Sequence, residues 1–290
     1  MTAVEPLTSP FAAPDRDSAD PLRDTAAAAV EISHLRCEFG PLTAVEDLEL
    51  QVPAGQIFGL LGPNGAGKTT TIKMLITLLP PTAGTARVAG HDIVREPVAV
   101  RRSIGYVPQL VSADGALTGT ENLQVSARLY HLPRAGRGPA IAEALDFMGL
   151  GEAAERLTRT YSGGMVRRLE LAQAMLHRPA VLFLDEPTVG LDPTARDLVW
   201  AHVEQLRAER GTTIVVTTHY MAEAEALCDQ VAIMHHGRVV AQGTVPELRA
   251  SAGPGASLDD VFRQVTGGDI DTGGNLREVT RTRRTARRLG

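Results

Sequence analysis

Short runs in which apolar and polar residues alternate begin at Val30 and predict β-strands along much of the chain. Residues 30–32 and part of 45–52 alternate, whereas residues 57–61 are apolar throughout, as is typical of a strand buried on both faces. Further strand-like runs occupy residues 84–89, 103–107, 181–184, 213–217, 231–234 and 238–241, the last two as a closing hairpin. The pattern therefore predicts a strand-rich core.

Apolar residues at helical spacing predict helices between these strands. Residues 71–79 and 166–176 each carry an apolar stripe, and residues 257–265 begin with a Ser-x-x-Asp cap. Residues 118–160 have the spacing of amphipathic helices and form a predicted helical insertion. Within it, we expect the glycines and prolines of residues 133–139 to interrupt the helix and make a flexible connection.

Composition divides the chain into three parts. Residues 1–27 are rich in Ala, Pro, Asp, Ser and Thr without an apolar period, so we expect them to be disordered. We expect residues 28–250 to form the main domain, with 118–160 as its helical subdomain, and residues 251–290 to form a C-terminal helix and a basic tail. The tail arginines, from Arg277 onward, suit either a solvated terminus or a contact with anionic lipid or nucleic acid.

The overall composition is that of a globular protein, with 290 residues, 43% of them hydrophobic, and a net charge of -5. Two cysteines, Cys37 and Cys228, are too few for a disulfide framework, so we expect free thiols in a reducing compartment. No apolar run approaches the roughly 18 residues of a membrane span, and the N-terminus lacks the pattern of a signal peptide. These features favour a location in the cytoplasm.

A glycine-rich loop between the 57–61 strand and the helix that follows predicts a phosphate-binding site. Its glycines permit a tight turn whose N–H groups face a polyphosphate at the positive end of the helix. Lys68 adds a charge for the outer phosphates, and the Thr69 hydroxyl is placed to ligate Mg²⁺. The loop residues are Gly62, Pro63, Asn64, Gly65, Ala66, Gly67, Lys68, Thr69 and Thr70. A bound nucleotide with magnesium is therefore predicted.

Two carboxylates, Asp185 and Glu186, follow the buried 181–184 strand and are expected at the same edge of the sheet as the loop. A solvated strand end is the alternative. Asp185 is suited to hold Mg²⁺ through water, and Glu186 to orient and deprotonate an attacking water. Because His219 and Gln109 also stand at strand exits, we expect them at this edge, although a lone histidine is usually structural.

A second anion site is predicted where Ser162, Gly163 and Gly164 begin a helix, unless the tripeptide is only a flexible cap. The Lys68 loop and Asp185 already account for one nucleotide, so a second cradle in the same chain suggests that two copies sandwich two ATP molecules head to tail. Asp192 is predicted to cap another helix, and Phe39 suits either stacking on a base or core packing.

These motifs, in this order from Val30 to Gly243, resemble the ATP-binding subunit of an ABC transporter. The resemblance implies an α/β fold of the P-loop NTPase class and ABC type: a mixed sheet core, an N-terminal antiparallel β part and an inserted helical subdomain. It assigns nucleotide binding to Phe39, Gly62 to Thr70, Gln109, Ser162, Gly163 and Gly164, metal binding to Thr69, Gln109 and Asp185, and catalysis to Glu186, His219, Lys68 and Asp192.

Two departures from the family pattern and several short cues narrow the resemblance. The usual leucine and glutamine of Leu-Ser-Gly-Gly-Gln, the family's signature motif, are Tyr161 and Met165. The sequence of this motif, together with those of the 59–71 loop and the 258–262 helix, resembles the corresponding sequences of the daunorubicin-resistance type of exporter ATPase. It implies an ATP- and Mg²⁺-dependent export ATPase on the cytoplasmic side of the membrane, with a separate integral membrane permease, a second copy of itself and no nucleic acid as partner.

Two other functions compete with export. One is a non-transport ABC ATPase acting on nucleic acid or ribosomes, although neither long coiled coils nor a second ATPase cassette is visible in the sequence. The other is a regulatory nucleotide-binding module without turnover, which the intact Glu186 and His219 disfavour.

Overall fold

Two β-sheets organise residues 28–267, the part of the chain that the computed structural model describes. The first sheet is antiparallel and comprises β1 (Ala28–Phe39), β2 (Leu42–Pro53), β4 (Ala83–Val88) and β5 (His91–Asp92). Its strand order is β2-β1-β4-β5. The predicted N-terminal antiparallel part is therefore confirmed.

The second sheet is mixed, as predicted. It comprises β3 (Ile57–Leu61), β6 (Ile104–Val107), β7 (Val181–Asp185), β8 (Thr213–Thr218), β9 (Gln230–His235) and β10 (Arg238–Thr244). The order is β10-β9-β3-β8-β7-β6, in which β9, β3, β8, β7 and β6 are parallel and β10 pairs antiparallel with β9. The carboxyl ends of β3, β6, β7 and β8 consequently share one edge.

Helices cover the second sheet and connect its strands. They are α1 (Lys68–Leu75), α2 (Pro97–Ser103), α3 (Gly119–Leu129), α4 (Arg134–Phe147), α5 (Gly163–Met175), α6 (Pro193–Arg210), α7 (Met221–Leu227), α8 (Val245–Ala252) and α9 (Leu258–Thr266). The sequence did not predict α2, α7 or α8, whose seven or eight residues are too short for a clear apolar period. Within residues 28–267, no helix is both long enough and apolar enough to cross a membrane.

The core has two halves, one on each face of the second sheet. Phe58 and Leu60 of β3 face the antiparallel sheet, whereas Ile57 and Leu61 face the helices, because successive strand side chains point to opposite faces. The helical half includes buried residues of α3 and α4, such as Leu123. The helices of the 118–160 segment thus share a core with the sheet.

The first helix is shorter than predicted. The apolar spacing suggested a helix through residue 79, but α1 ends at Leu75 and Ile76 is its C-cap. Thr77 then adopts a positive φ of 63°, and Pro80 and Pro81 follow. Proline disfavours helical conformation in the residue before it and removes an N–H donor, so the turn ends the helix although the apolar pattern continues.

The predicted flexible connection at residues 133–139 is wrong. Pro133 caps α4, and residues 134–139 form its first turns, including Pro139. Pro133 precedes the helix and costs it no hydrogen bond, whereas Pro139 is its sixth residue and forfeits one bond to the carbonyl oxygen four residues earlier. The predicted disorder of residues 1–27 and the basic tail from Arg277 lie outside the described residues.

Candidate nucleotide site

The loop between β3 and α1 depends on glycine at two positions where the backbone passes close to neighbouring strands. Gly62 has a φ of 146°, and a Cβ there would lie 2.2 Å from the carbonyl oxygen of Met234. Gly67, the N-cap of α1, has a φ of 103°, and its Cβ would lie 2.6 Å from the carbonyl oxygen of Ala44. Only glycine fits both constraints, so the sequence fixes the turn that aims the start of α1 at the sheet edge.

Lys68 is buried at the centre of this edge, with 5% of its surface exposed. Its Nζ donates to the carbonyl oxygens of Gly62 (2.7 Å) and Pro63 (3.1 Å) and lies 3.6 Å from Glu186 Oε1. Burial lowers the pKa of Lys68, while the Glu186 carboxylate opposes that shift. The ammonium is thus held beside the loop with a carboxylate as its counter-ion.

Asp185 presents one oxygen to two hydroxyl groups. Its Oδ1 accepts from Thr217 Oγ1 at 2.6 Å and from Thr69 Oγ1 at 3.2 Å. The side chain is 1% exposed. Hydroxyl and carboxylate oxygens are ligands that Mg²⁺ prefers, and the Thr69 and Asp185 oxygens are close enough to belong to one coordination sphere. This donor set therefore fits a magnesium ion that arrives with the nucleotide.

Glu186 is the point at which the predicted site residues meet. It turns out of β7 with a positive φ of 47°, and its N–H donates to the Thr217 carbonyl oxygen at 3.1 Å. Its carboxylate accepts from Gln109 Nε2 (3.1 Å) and His219 Nδ1 (3.2 Å). A positive φ is unfavourable for glutamate, so the contacts around it must hold the conformation. The solvated strand end considered above does not describe this buried carboxylate.

Ser162 and Asp192 both cap helices. The cap at Asp192 was predicted, whereas at Ser162 a cap was the alternative to a second anion site, and that site stays a prediction. Ser162 Oγ accepts from the Met165 N–H at 3.3 Å at the start of α5, and Asp192 Oδ1 accepts from the Ala195 N–H at 2.9 Å at the start of α6. Ser162 and Gly163 are exposed on the surface. The start of α5, where the second anion site is predicted, is therefore accessible to another molecule.

Phe39 lies at the end of β1 and is 49% exposed. The alternative of core packing, left open by the sequence, does not hold for a half-exposed ring. Stacking on a nucleotide base stays a prediction.

Thr217 is a site residue that sequence reasoning missed. It is fully buried, donates to Asp185 and accepts from the Glu186 N–H through both its hydroxyl (3.0 Å) and its carbonyl oxygen. The pairing of Asp185 with Thr217 across β7 and β8 produces these contacts. A threonine near the end of an apolar strand is the only sequence signal, and it requires the strand order to be known.

A mixed sheet with five parallel strands, a glycine loop leading into a helix, and two carboxylates at the end of a nearby strand define a nucleotide hydrolase of the P-loop class. Residues 45–189 match the family described as ABC transporter. The chain belongs to this family and is an ATP-binding subunit that binds and hydrolyses ATP. Such membership implies a membrane permease partner and pairing of ATP-binding subunits.

Two relatives and one solved structure show how close the similarity is. The chain is 51% identical over 225 residues to the daunorubicin/doxorubicin resistance ATP-binding protein of Streptomyces peucetius, covering 78% of this chain and 68% of that protein. It is 44% identical to the Nod factor export ATP-binding protein I of Ralstonia nicotianae, covering 76% of this chain and 68% of that protein. A structure titled "Structure of ATP binding subunit of ABC transporter" superimposes with a TM-score of 0.74 and 31% identity, covering 82% of this chain and 99% of that chain. The predicted resemblance is confirmed.

Proposed function

We propose that this chain powers export of a drug or antibiotic-like compound through a separate permease, from the cytoplasmic side of the membrane. The similarity to a resistance protein at 51% identity carries the proposal. A second relative is named for export of a different compound. The two names together therefore support export as the function, but they do not agree on a substrate. Neither relative is named for nucleic acid or ribosomes, so the non-transport alternative gains no support.

In this proposal the 62–70 loop and Lys68 bind the phosphates of ATP, and Phe39 stacks on the base. Lys68 Nζ now contacts two loop carbonyls and lies near Glu186. An entering γ-phosphate offers it a stronger partner than a neutral carbonyl oxygen does. Binding of ATP therefore draws the ammonium toward the phosphates and leaves the Glu186 carboxylate free to act on water.

Thr69 and Asp185, with Gln109, are proposed to hold the magnesium ion. When bound, Mg²⁺ neutralises charge on the β- and γ-phosphates. Thr217 contributes indirectly, because its hydroxyl fixes the Asp185 carboxylate at 2.6 Å.

Glu186 is proposed to orient and deprotonate the attacking water, and His219 to reach the γ-phosphate. Both side chains already lie within hydrogen-bond distance of each other. Gln109 Nε2, at 3.1 Å from the same carboxylate, links the segment after β6 to this centre.

A second copy of the chain is proposed to complete the site, with its Ser162, Gly163 and Gly164 facing the γ-phosphate and its Asp192 at the interface. The exposed start of α5 supports this arrangement, because its N–H groups and positive helix end are open to a ligand from outside.

Within the 28–250 domain, the 118–160 subdomain is proposed to engage the permease. Apolar side chains that are exposed around its surface support a protein contact. They are Val125 (42%) and Leu129 (71%) on α3, and Leu110 (81%) and Val111 (67%) in the segment that precedes the subdomain. The alternative, that these helices only cover the sheet, accounts for the buried Leu123 but not for this exposed set.

Drug resistance in living cells tests the proposed function. The full chain should be expressed in a doxorubicin-sensitive bacterium together with the product of the adjacent gene, if that gene encodes about six membrane spans. Resistance should rise with the wild type and disappear with Lys68→Ala, which loses the charge for the outer phosphates. Lys73→Ala removes an exposed lysine from the same helix and should retain resistance. Equal resistance with Lys68→Ala would contradict the proposal.

A further inference from the structure

A buried ion pair on α5 holds the segment that carries Gln109. Arg167 and Glu170 are 5% and 2% exposed, and their charged atoms are 2.9 Å apart. The same guanidinium donates to the carbonyl oxygens of Pro108 (2.7 Å) and Gln109 (3.1 Å). Arginine is suited to this task because its planar fork can serve several acceptors at once. The pair thus fastens the main chain after β6 to α5.

Further bonds attach the same segment to the helical part of the molecule. Glu170 Oε1 accepts from the Ser112 hydroxyl at 2.9 Å, and the Asp114 N–H donates to Asn122 Oδ1 of α3 at 2.9 Å. Residues 109–112 are exposed and form neither helix nor strand. Their position is therefore set by these polar attachments rather than by packing.

The Gln109 side chain points to the hydrolytic centre, whereas its main-chain carbonyl oxygen accepts a hydrogen bond from Arg167 of α5. Its amide donates to Glu186, on the sheet side. At the other end, Ser162 caps α5 only five residues before Arg167. A short, bonded structure therefore links Gln109 at one ATP site to Ser162, the group that faces the other ATP site in the proposed dimer.

We propose that Arg167 and Glu170 are positioning residues that make the 108–112 segment and the start of α5 move together, so that ATP at one site aligns the signature motif for the second site. This inference rests on the proposed dimer with shared sites. The two side chains would touch neither nucleotide nor water, and they would act through Gln109 and Ser162. Loss of the pair should uncouple the two ATP sites while each still binds nucleotide.

The neighbouring Arg168 provides a matched control. It lies on the same helix, and its Nη1 donates to the carbonyl oxygen of Met148, within the helical part. Arg168→Met therefore removes a similar hydrogen bond from a guanidinium to a main-chain carbonyl oxygen, but it leaves the 108–112 segment attached to α5.

The test compares the wild type with Arg167→Met/Glu170→Leu, Arg167→Lys and Arg168→Met. The double substitution removes both charges together and leaves neither buried alone, which proteins often tolerate.

We expect the wild type to hydrolyse ATP with a Hill coefficient above 1. In the double variant, kcat should fall about tenfold and the Hill coefficient should approach 1, in keeping with typical coupling between sites. The affinity of a single subunit for a fluorescent ATP analogue should change less than about twofold. Arg167→Lys, which keeps the charge but loses the fork, should be intermediate, and Arg168→Met should match the wild type.

Two outcomes would overturn the inference. One is a folded double variant with the kcat and Hill coefficient of the wild type. The other is an equal loss in Arg168→Met, which would show that any loosening of α5 has the same effect. A wild type that neither hydrolyses ATP nor pairs in its presence would instead overturn the proposed function, and this inference with it.

A distance measurement tests the same idea without hydrolysis and covers the case in which the double variant does not fold. Spin labels at Leu110 and Val166 report on the segment and the start of α5, and labels at Leu110 and Val240 report on the segment and β10. When a non-hydrolysable ATP analogue binds, the first distance should stay constant and the second should change. Arg167→Lys should broaden the first distribution. A first distance that shifts as much as the second in the wild type would contradict the proposed joint movement.

Discussion

Glu186 is the residue on which the chemistry of the site converges. Lys68, Gln109 and His219 all lie within 3.6 Å of its carboxylate oxygens. The sequence predicted these residues correctly as neighbours, because each follows a strand and parallel strands deliver their ends to one edge. It did not predict Thr217 or Arg167, whose contacts depend on the register between strands and on the packing of α5. Such pairings leave no periodic signal in one sequence.

Glu186→Gln should retain ATP binding and lose most hydrolysis, by about 100-fold or more, because the amide cannot take a proton from water. The amide keeps the size of the side chain and one acceptor for Gln109. Purified wild type and variant should be compared for ATP affinity by equilibrium binding and for phosphate release. Hydrolysis at the wild-type rate would refute the role of Glu186 as the base.

At the scale of elements, the strands followed the prediction more closely than the helices. Apolar runs located β3, β7 and β8 because a buried strand requires apolar side chains on both faces. The prediction for residues 133–139 was wrong because glycine and proline are costly in a helix but do not forbid it when its other face is packed. Ile141 and Leu145 of α4 supply that packing.

The glycines of α4 make this explanation testable. Gly136 and Gly138 are helical, and a Cβ at either would have nothing within 4 Å. Replacing each with alanine should raise the free energy of unfolding by up to about 1 kcal/mol, since alanine loses less backbone entropy in a helix. Gly211 also has open space but a φ of 63°, so Gly211→Ala should destabilise the protein. Urea unfolding of the three variants provides the measurement. Destabilisation by Gly136→Ala would argue against a helix at this position.

At the scale of the whole molecule, stability should depend on a partly buried histidine between α5 and β6. His177 stacks on Tyr130 with ring centroids 3.6 Å apart, and its Nε2 donates to the Ile104 carbonyl oxygen at 2.9 Å. Burial lowers the pKa of His177 to about 4, and its Nδ1 has no hydrogen-bond partner among residues 28–267. The folded state therefore binds this proton less readily than the unfolded state does.

The free energy of unfolding should consequently fall as the pH drops from about 6.5, the pKa in the unfolded chain, to about 4. The contribution of His177 is fully present above this window. His177→Phe keeps an aromatic ring and removes the titration. Between pH 7 and pH 4, the free energy of unfolding should therefore fall by about 2–3 kcal/mol more in the wild type than in His177→Phe. Denaturant titrations at several pH values measure this shift, and parallel pH profiles would refute it.

At the scale of the whole molecule we also propose that ATP is hydrolysed at sites shared by two chains. In the proposed dimer, Lys68, Asp185 and Glu186 of one chain lie opposite Ser162 of the other. Lys68→Ala and Ser162→Arg should each abolish hydrolysis in a homodimer, since both sites are then damaged. Ser162→Arg is preferable to changes at Gly164, because a Cβ there would lie 2.7 Å from the Ala195 side chain.

Mixing the two variants is the most direct test. A heterodimer has one site with both changes and one site with Lys68 and Ser162 intact. An equimolar mixture that pairs at random should therefore recover up to about a quarter of the wild-type rate of ATP hydrolysis for independent sites, and about a tenth of that for sites coupled as proposed above. Pairing should be verified with two affinity tags, and nucleotide occupancy should be measured in parallel. Recovered hydrolysis in the verified heterodimer is the predicted result; hydrolysis no higher than in either parent, with the intact site occupied by ATP, would contradict the account.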